Sequence, residues 1–163
     1  MIKPMLAQKV NTKPIDWTKK VFVQPKLDGV RCLFTKDGAY SRTGKQFKNV
    51  DHLQNDLQDF FEKFPEIVLD GELYNHDLKH DFEKIISLVR KQKPTEQDRS
   101  EASNLVQFHV YDVIAEPNFT YEFRYNMLRL QLPIVTSMTL VKNTLVESYD
   151  EAEMLHKIHL AQG

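Results

Sequence analysis

The sequence predicts an α+β fold in which mainly antiparallel sheets are flanked by helices. Three observations carry this. Apolar residues alternate at Val21 and Val23 and again at Val30, Cys32 and Phe34, whereas Leu53, Leu57, Phe60, Phe61 and Phe64 recur at helical spacing. Lys36, Asp37 and Gly38 join two strand-like runs through a tight turn, the mark of an antiparallel hairpin. Strand and helix signals are interspersed without the regular alternation that a parallel doubly wound sheet requires.

In order along the chain, the first twenty residues read as irregular, punctuated by Pro4 and Pro14, with Met5, Leu6 and Trp17 available for packing. The stretch through Phe34 reads as strand, interruption, strand. Pro25 withholds a ladder N–H and Gly29 permits a bend, which places Lys26 on an edge or at a distorted strand end. After the turn the strand resumes at Ala39 and Tyr40 and runs to Lys45. A helix is expected from Val50 to Phe64, with Asn49 or Asp51 as N-cap and Pro65 ending it. A strand follows at Glu66 to Tyr74, interrupted by Asp70, Gly71 and Glu72, and then a helix from Asp81 to Gln92 on Phe82, Ile85, Ile86 and Val89. Lys91 to Ser103 has Ala102 as its single apolar residue and contains Pro94, so it reads as a loop. A strand at Leu105 to Ile114, a helix at Tyr121 to Leu132 and a strand at Met138 to Glu147 precede a last helix from Tyr149. Ser148 and Glu151 have capping-box spacing there, and Gly163 stands where a C′ glycine would.

Composition bounds the function classes. At 163 residues one domain is expected, burying about two-thirds of its unfolded surface. With 41% hydrophobic and 28% charged residues, the chain falls with globular rather than disordered proteins. A net charge of −1 argues against holding nucleic acid by bulk charge, leaving room only for a local basic face. The lone Cys32 rules out an internal disulfide and suits a reducing compartment. No apolar run approaches the roughly twenty residues of a membrane span, and MIKPMLAQKV lacks the apolar core of a signal peptide. A cytoplasmic protein is expected, or one of the host cytoplasm for a viral chain, with no membrane partner.

The chemistry concentrates in Lys26, Leu27, Asp28, Gly29, Val30 and Arg31: an amine, a carboxylate, a glycine and a guanidinium within six residues. A free lysine, with a pKa of about 10.4, is almost wholly ammonium at neutral pH. Desolvation, a neighbouring guanidinium or a divalent cation favours the nucleophilic amine, while a carboxylate alone opposes it. The combination suits a metal-bound triphosphate, with Arg31 on phosphate oxygens and Lys26 attacking the α-phosphorus in line with departing pyrophosphate.

KLDGVR also resembles the KxDGxR signature of covalent nucleotidyltransferases: ATP-dependent DNA ligases, RNA ligases and mRNA capping enzymes. Leu69 to Leu73, LDGEL, resembles their DGE motif, whose glutamate contacts the ribose and helps hold metal; here that residue is Glu72. SRTGK, Ser41 to Lys45, resembles the SRxG element, whose arginine, Arg42 here, contacts phosphate. FHVYD, Phe108 to Asp112, resembles the strand whose aromatic before the Asp stacks on adenine, which is Tyr111 here. Gln24 stands where the family contacts the adenine amino group, and many members carry an acidic residue there. KPMLA, Lys3 to Ala7, resembles the segment before the lysine motif in DNA ligases, and Phe123 and Arg124 resemble an arginine helix, to which a scaffolding role is assigned.

The resemblance implies an ATP-grasp-like nucleotidyltransferase domain with Lys26 as the catalytic nucleophile. Gln24, Lys26, Arg31, Arg42, Glu72 and Tyr111 are its nucleotide-binding residues. ATP is the cofactor, with Mg2+ or Mn2+ held by Glu72 and Asp28. Nicked duplex DNA is the implied partner, in repair, replication or recombination. KPMLA and SRTG favour a DNA ligase over an RNA ligase or a GTP-using capping enzyme. The family continues with an EG strand, a K-x-K strand and an OB-fold domain, none of which is in the sequence. Residues 1–163 are therefore expected to be a partial adenylation domain, incomplete at the C-terminus. Such a chain would be weakly active or inactive alone, with a second chain as one source of the missing motifs, and a non-catalytic binding module stays open as an alternative. His76 and His80 straddle a loop and a helix start and read as solvated surface rather than metal ligands. His156 and His159, near the end of the last helix, are explained by compensation of its dipole. Lys79, Lys84, Arg90, Lys91 and Lys93 read as a solvated helix face rather than a DNA-facing strip.

Overall fold

Residues 2–115 and 119–163 are described in the computed structural model. In chain order the elements are β1 (Val21–Val23), β2 (Val30–Thr35), β3 (Gly38–Tyr40), α1 (Asp51–Asp56), α2 (Gln58–Lys63), β4 (Val68–Tyr74), a 3-10 turn at His76–Leu78, α3 (Phe82–Val89), α4 (Glu96–Leu105), β5 (Gln107–Ile114), α5 (Tyr121–Gln131), β6 (Met138–Leu140), β7 (Thr144–Val146) and α6 (Tyr149–Gln162). They divide into two units, one of Met1–Lys3 with Leu27–Leu140 and one of Pro4–Lys26 with Val141–Gly163.

In the larger unit the sheet order is β3-β2-β4-β5-β6. Every pairing is antiparallel except β5 with β6. Alternation assigns its faces. Cys32, Phe34, Leu69, Leu73, Phe108, Val110 and Val113 point into one core with Leu53, Leu57, Phe60 and Phe61 of the α1–α2 region, Ile85, Leu88 and Val89 of α3, and Leu128 of α5. Phe34 anchors it, with ring centroids 5.4 Å from Phe108 and 6.3 Å from Phe61. The opposite face carries Arg31, Asp70, Glu72, Tyr74 and His109, and there the polar chemistry gathers.

The α+β class and its antiparallel bias hold, but several local expectations do not. The Val50 to Phe64 helix is two short helices broken at Leu57, whose buried side chain serves both; Val50, not Asn49 or Asp51, is the N-cap residue. Asn49 is instead buried, its amide donating to the Leu88 and Asp98 carbonyls at 3.0 and 3.2 Å. The hairpin's second strand stops at Tyr40, and Ser41 to Lys45 is a turn with Gly44 at φ 84°. The largest miss is α4, which takes up most of the stretch read as loop and extends to Leu105, read as the start of the next strand. Thr95 and Asp98 form a reciprocal capping box, and ion pairs from Lys84 to Glu101 and from Lys91 to Asp98 tie α4 to the α3 region. A helix anchored by one small buried residue, Ala102, leaves no apolar period to detect.

The smaller unit pairs β1 with β7 antiparallel, Val21 opposite Val146 and Val23 opposite Thr144. The run from Met138 to Glu147 is thus two strands in two sheets, and β1 does not pair with β2. Helix α6 begins as expected, with the Ser148 hydroxyl accepting from the Glu151 N–H at 3.2 Å. The Glu151 carboxylate returns to the Glu147 N–H rather than to that of Ser148. No helix among the described residues is long and apolar enough to cross a membrane.

Candidate functional site

Registers on either side of β4 assemble the site. Arg31 of β2 lies opposite Glu72, and Leu33 opposite Asp70. On the other side Asp70 pairs with Asp112 but Gly71 with Val110, so Tyr111 is an extra residue of β5 at the point where the register shifts. This β-bulge turns both Tyr111 and Asp112 away from the core while Val110 and Val113 stay in it, and bulges are used in this way to re-aim side chains.

Glycine is required at two points of close approach. A Cβ on Gly29 would lie 2.5 Å from the Leu73 carbonyl oxygen and 2.6 Å from Glu72 Cγ, and one on Gly71 would lie 2.4 Å from the His109 carbonyl oxygen. Neither residue has a positive φ among the glycines that do. Gly29 stands at a bend just before β2, as the sequence suggests, whereas the reading of Asp70 to Glu72 as an interruption is corrected, since β4 runs unbroken through LDGEL; both glycines also serve by being thin.

Three sequence-predicted residues meet here. Arg31 makes a two-pronged pair with Asp70, Nε to Oδ1 at 2.8 Å and Nη2 to Oδ2 at 2.6 Å. Its guanidinium carbon stands 5.3 Å from the centroid of the Tyr111 ring, within cation–π range. The Tyr111 hydroxyl donates to Glu72 Oε2 at 3.3 Å. Burial, followed by the charges of Asp70 and Glu72, pushes the Tyr111 hydroxyl well above its ordinary pKa, so it stays a donor. Burial raises the Asp70 carboxyl's pKa despite the opposing pull of Arg31, and the hydrogen bonds that Arg31 donates to Asp70 hold Arg31 protonated.

Of the other predicted residues, Asp28 and Arg42 belong to the larger unit. Asp28 is exposed beside Gly29, and its charge, after burial, helps raise the pKa of Tyr74. Arg42 is exposed in the turn after β3. Lys26, exposed, and Gln24, half-buried, belong to the smaller unit. Arg124 takes the scaffolding place expected of it, clasping Asp112 through Nε at 2.8 Å and Nη2 at 3.0 Å.

Sequence reasoning missed Asp70 and His109 as parts of the site. Asp70 lies within the motif string, but only the β2–β4 register reveals its partner. Replacing it with asparagine would leave the Arg31 charge half-buried without its hydrogen-bonded counter-ion. A destabilisation of ~2 kcal/mol is expected, below the usual cost of a broken buried pair because Arg31 retains contact with water. Urea denaturation at neutral pH measures it; a change under half that size would mean that the pair does not hold the strands.

His109 is directly opposite Glu72. Burial, aided by the positive charge of His76, lowers its pKa to about 4. An unfolded chain, with histidine near 6.5, takes up that proton first. Stability is thus full above pH ~6.5 and falls as pH drops toward 4, by ~3 kcal/mol in all. Denaturation curves at pH 7 and 4.5 should show a difference that shrinks in His109→Gln, and an unchanged difference would remove His109 as its cause.

Among the described residues no group of three or more His, Cys, Asp or Glu is placed to hold a metal ion. His76 Nδ1 is instead 3.0 Å from the Tyr74 hydroxyl.

Comparison with known proteins places this geometry in context. Residues 4–163 match the family described as ATP dependent DNA ligase domain. A DNA ligase of African swine fever virus is 28% identical over the whole chain, which covers 40% of the viral protein. A solved Lig E DNA ligase aligns with all of the chain at a TM-score of 0.73 and 21% identity, over 59% of its own length. A Chlorella virus DNA ligase-adenylate aligns with 99% of the chain at a TM-score of 0.69 and 19% identity, over 56% of its own. The chain thus spans about two-fifths of the length of the curated viral relatives it matches.

Proposed function

The chain belongs to the family of ATP-dependent DNA ligase domains, and from that premise we propose that it performs the nucleotide-charging step of a DNA ligase, the transfer of AMP from ATP to Lys26. The observation that carries this most is the meeting of Arg31, Glu72 and Tyr111 on one sheet face. Three strings separated by tens of residues converge as a nucleotide site would require.

In the proposed step the Lys26 amine lone pair attacks the α-phosphorus. A P–N bond forms, the α–β P–O bond breaks, pyrophosphate departs and the amine gives its proton to solvent. Support for Lys26 is the KLDGVR string itself. Glu72, held by the Tyr111 hydroxyl, accepts hydrogen bonds from ribose hydroxyls, a pairing that rejects sugars lacking them. Tyr111 offers a ring face to adenine while Arg31 stands over the ring. Arg31 directs the N–H groups that Asp70 does not engage toward phosphate, exposed Arg42 does the same from its turn, and Gln24 addresses the adenine amino group.

A magnesium or manganese ion fits only in part. The described residues alone gather no cage, but Mg2+ is commonly held by one or two carboxylates together with substrate phosphates. Glu72, and Asp28 beside the glycine that packs on Glu72, are the residues that would hold it. When bound, such an ion neutralises charge on the phosphates and the leaving group. Residues 1–163 are in this proposal an adenylation portion. Complete sealing, in which AMP passes to the 5′-phosphate of nicked duplex DNA and the 3′-hydroxyl displaces it, is proposed for the ligase as a whole.

Incubation with α-labelled ATP and Mg2+ tests the step. The expected result is a protein–AMP adduct that is stable to alkali and released by acid, as a P–N bond is, formed from ATP and not from GTP. Neither an adduct nor measurable ATP binding would overturn the proposal.

A further inference from the structure

Beside Glu72, on the strand that faces it, the sheet carries a histidine that the nucleotide reading does not use. His109 is 9% exposed and is Glu72's direct partner across β4 and β5. Two contacts fix its ring. Nε2 lies 2.9 Å from Gln107 Oε1, and since an amide oxygen only accepts, Nε2 carries the proton. The Tyr74 ring meets it edge-on, with centroids 5.1 Å apart and planes at 84°. Tyr74 is itself buried, its hydroxyl held by His76. Glu72 is therefore bordered by an immobilised ring on its β5 side and joined to Tyr111 by a hydrogen bond.

We propose that His109 is a positioning residue for Glu72: wedged between Gln107 and Tyr74, it blocks the rotamers that would swing the carboxylate away from Tyr111, and so presents Glu72 in one orientation to the ribose of a bound nucleotide. This rests on the ribose role proposed for Glu72. Directly opposed residues on neighbouring strands have Cβ atoms about 5 Å apart, close enough for a fixed ring to limit a flexible glutamate. Glutamate loses much rotamer freedom on ordering, and a neighbour that orders it in advance removes that cost from binding. His109 acts by shape; as a buried neutral ring it offers the carboxylate no counter-charge that would compete with the ribose.

Equilibrium binding of ATP and of 2′,3′-dideoxy-ATP, compared across variants, tests this. The wild type should prefer ATP. His109→Ala should reduce that preference by roughly tenfold, about the value of one well-aligned hydrogen bond, and leave dideoxy-ATP affinity within about twofold. Glu72→Gln should do the same, and the double variant should lose no more than Glu72→Gln alone. His109→Phe, which keeps a flat ring against Tyr74, should recover most of the preference. Should the alanine variant fold poorly by thermal melting, His109→Gln serves in its place. Equal weakening of both nucleotides, or none, would show a purely structural histidine and overturn the proposal. A wild type that binds both nucleotides equally removes the ribose role of Glu72 and this proposal with it, leaving the lysine chemistry standing; absence of the lysine adduct is read separately.

Discussion

Lys26→Arg is expected to form no alkali-stable AMP adduct at all. The bond in question needs a nitrogen lone pair, and a guanidinium is not deprotonated in proteins. Arginine keeps the positive charge and much of the length of lysine, so any role that charge plays in attracting the triphosphate survives. ATP binding should accordingly stay within a few-fold of the wild type while labelling falls to background. This separates nucleophilic from electrostatic catalysis, which an alanine substitution would remove together. Mass spectrometry of the intact protein after incubation with ATP gives the readout. A persisting adduct in Lys26→Arg would assign the nucleophile to another residue and break the link between KLDGVR and the chemistry.

Gly71→Ala should produce the largest loss of stability of any single-methyl change in the larger unit. The added carbon would lie 2.4 Å from the His109 carbonyl oxygen, 2.7 Å from Phe108 Cε2 and 3.0 Å from Val110 Cα. Two of those atoms are backbone, so no side-chain rotation relieves the clash and β4 must separate from β5. Overpacking in a well-packed core costs about 1–3 kcal/mol, and a clash with backbone belongs at the top of that range. Separation would also displace the bulge one register away that aims Tyr111, so ATP binding should fall along with stability. Denaturant midpoints and ATP titrations on the same preparation test both effects. A stable Gly71→Ala with unchanged binding would show that β4 and β5 tolerate a wider spacing than the structure has. Gly29→Ala makes a useful comparison, since of its two closest neighbours one is the Leu73 carbonyl but the other is the flexible Glu72 side chain.

Much of the fold was legible because its signals are local. The period-two residues of β2 and the helical spacing of α3 lie within a few residues of one another, and the Ser148 cap lies next to the helix it starts. Where the reading failed, the deciding contact was distant or the apolar signal small. Helix α4 needs one buried alanine and a cap, and so looks like a loop. The run from Met138 to Glu147 looks like one strand, yet Met138 pairs with Phe108 while Val146 pairs with Val21. The Leu53 to Phe64 pattern gave the correct buried face but not the break at Leu57, because two short helices can share one apolar stripe.

The same division runs through the site. By itself the sequence determined the α+β class, the residues of the core face, and the strings KLDGVR, LDGEL and FHVYD that carry family membership, since each is written within a few consecutive residues. Only the tertiary structure decided that Arg31 faces Glu72, that Asp70 holds Arg31, that a bulge turns Tyr111 toward both, and that His109 borders Glu72. Strand register and bulges depend on how side chains from distant segments fill one core, and shifting a strand by a single residue would send all its side chains to the other face. Both glycines illustrate the difference: present in the motifs from the start, one of them at the bend its sequence suggests, they show only against the neighbouring strand that what is also needed there is the absence of a side chain.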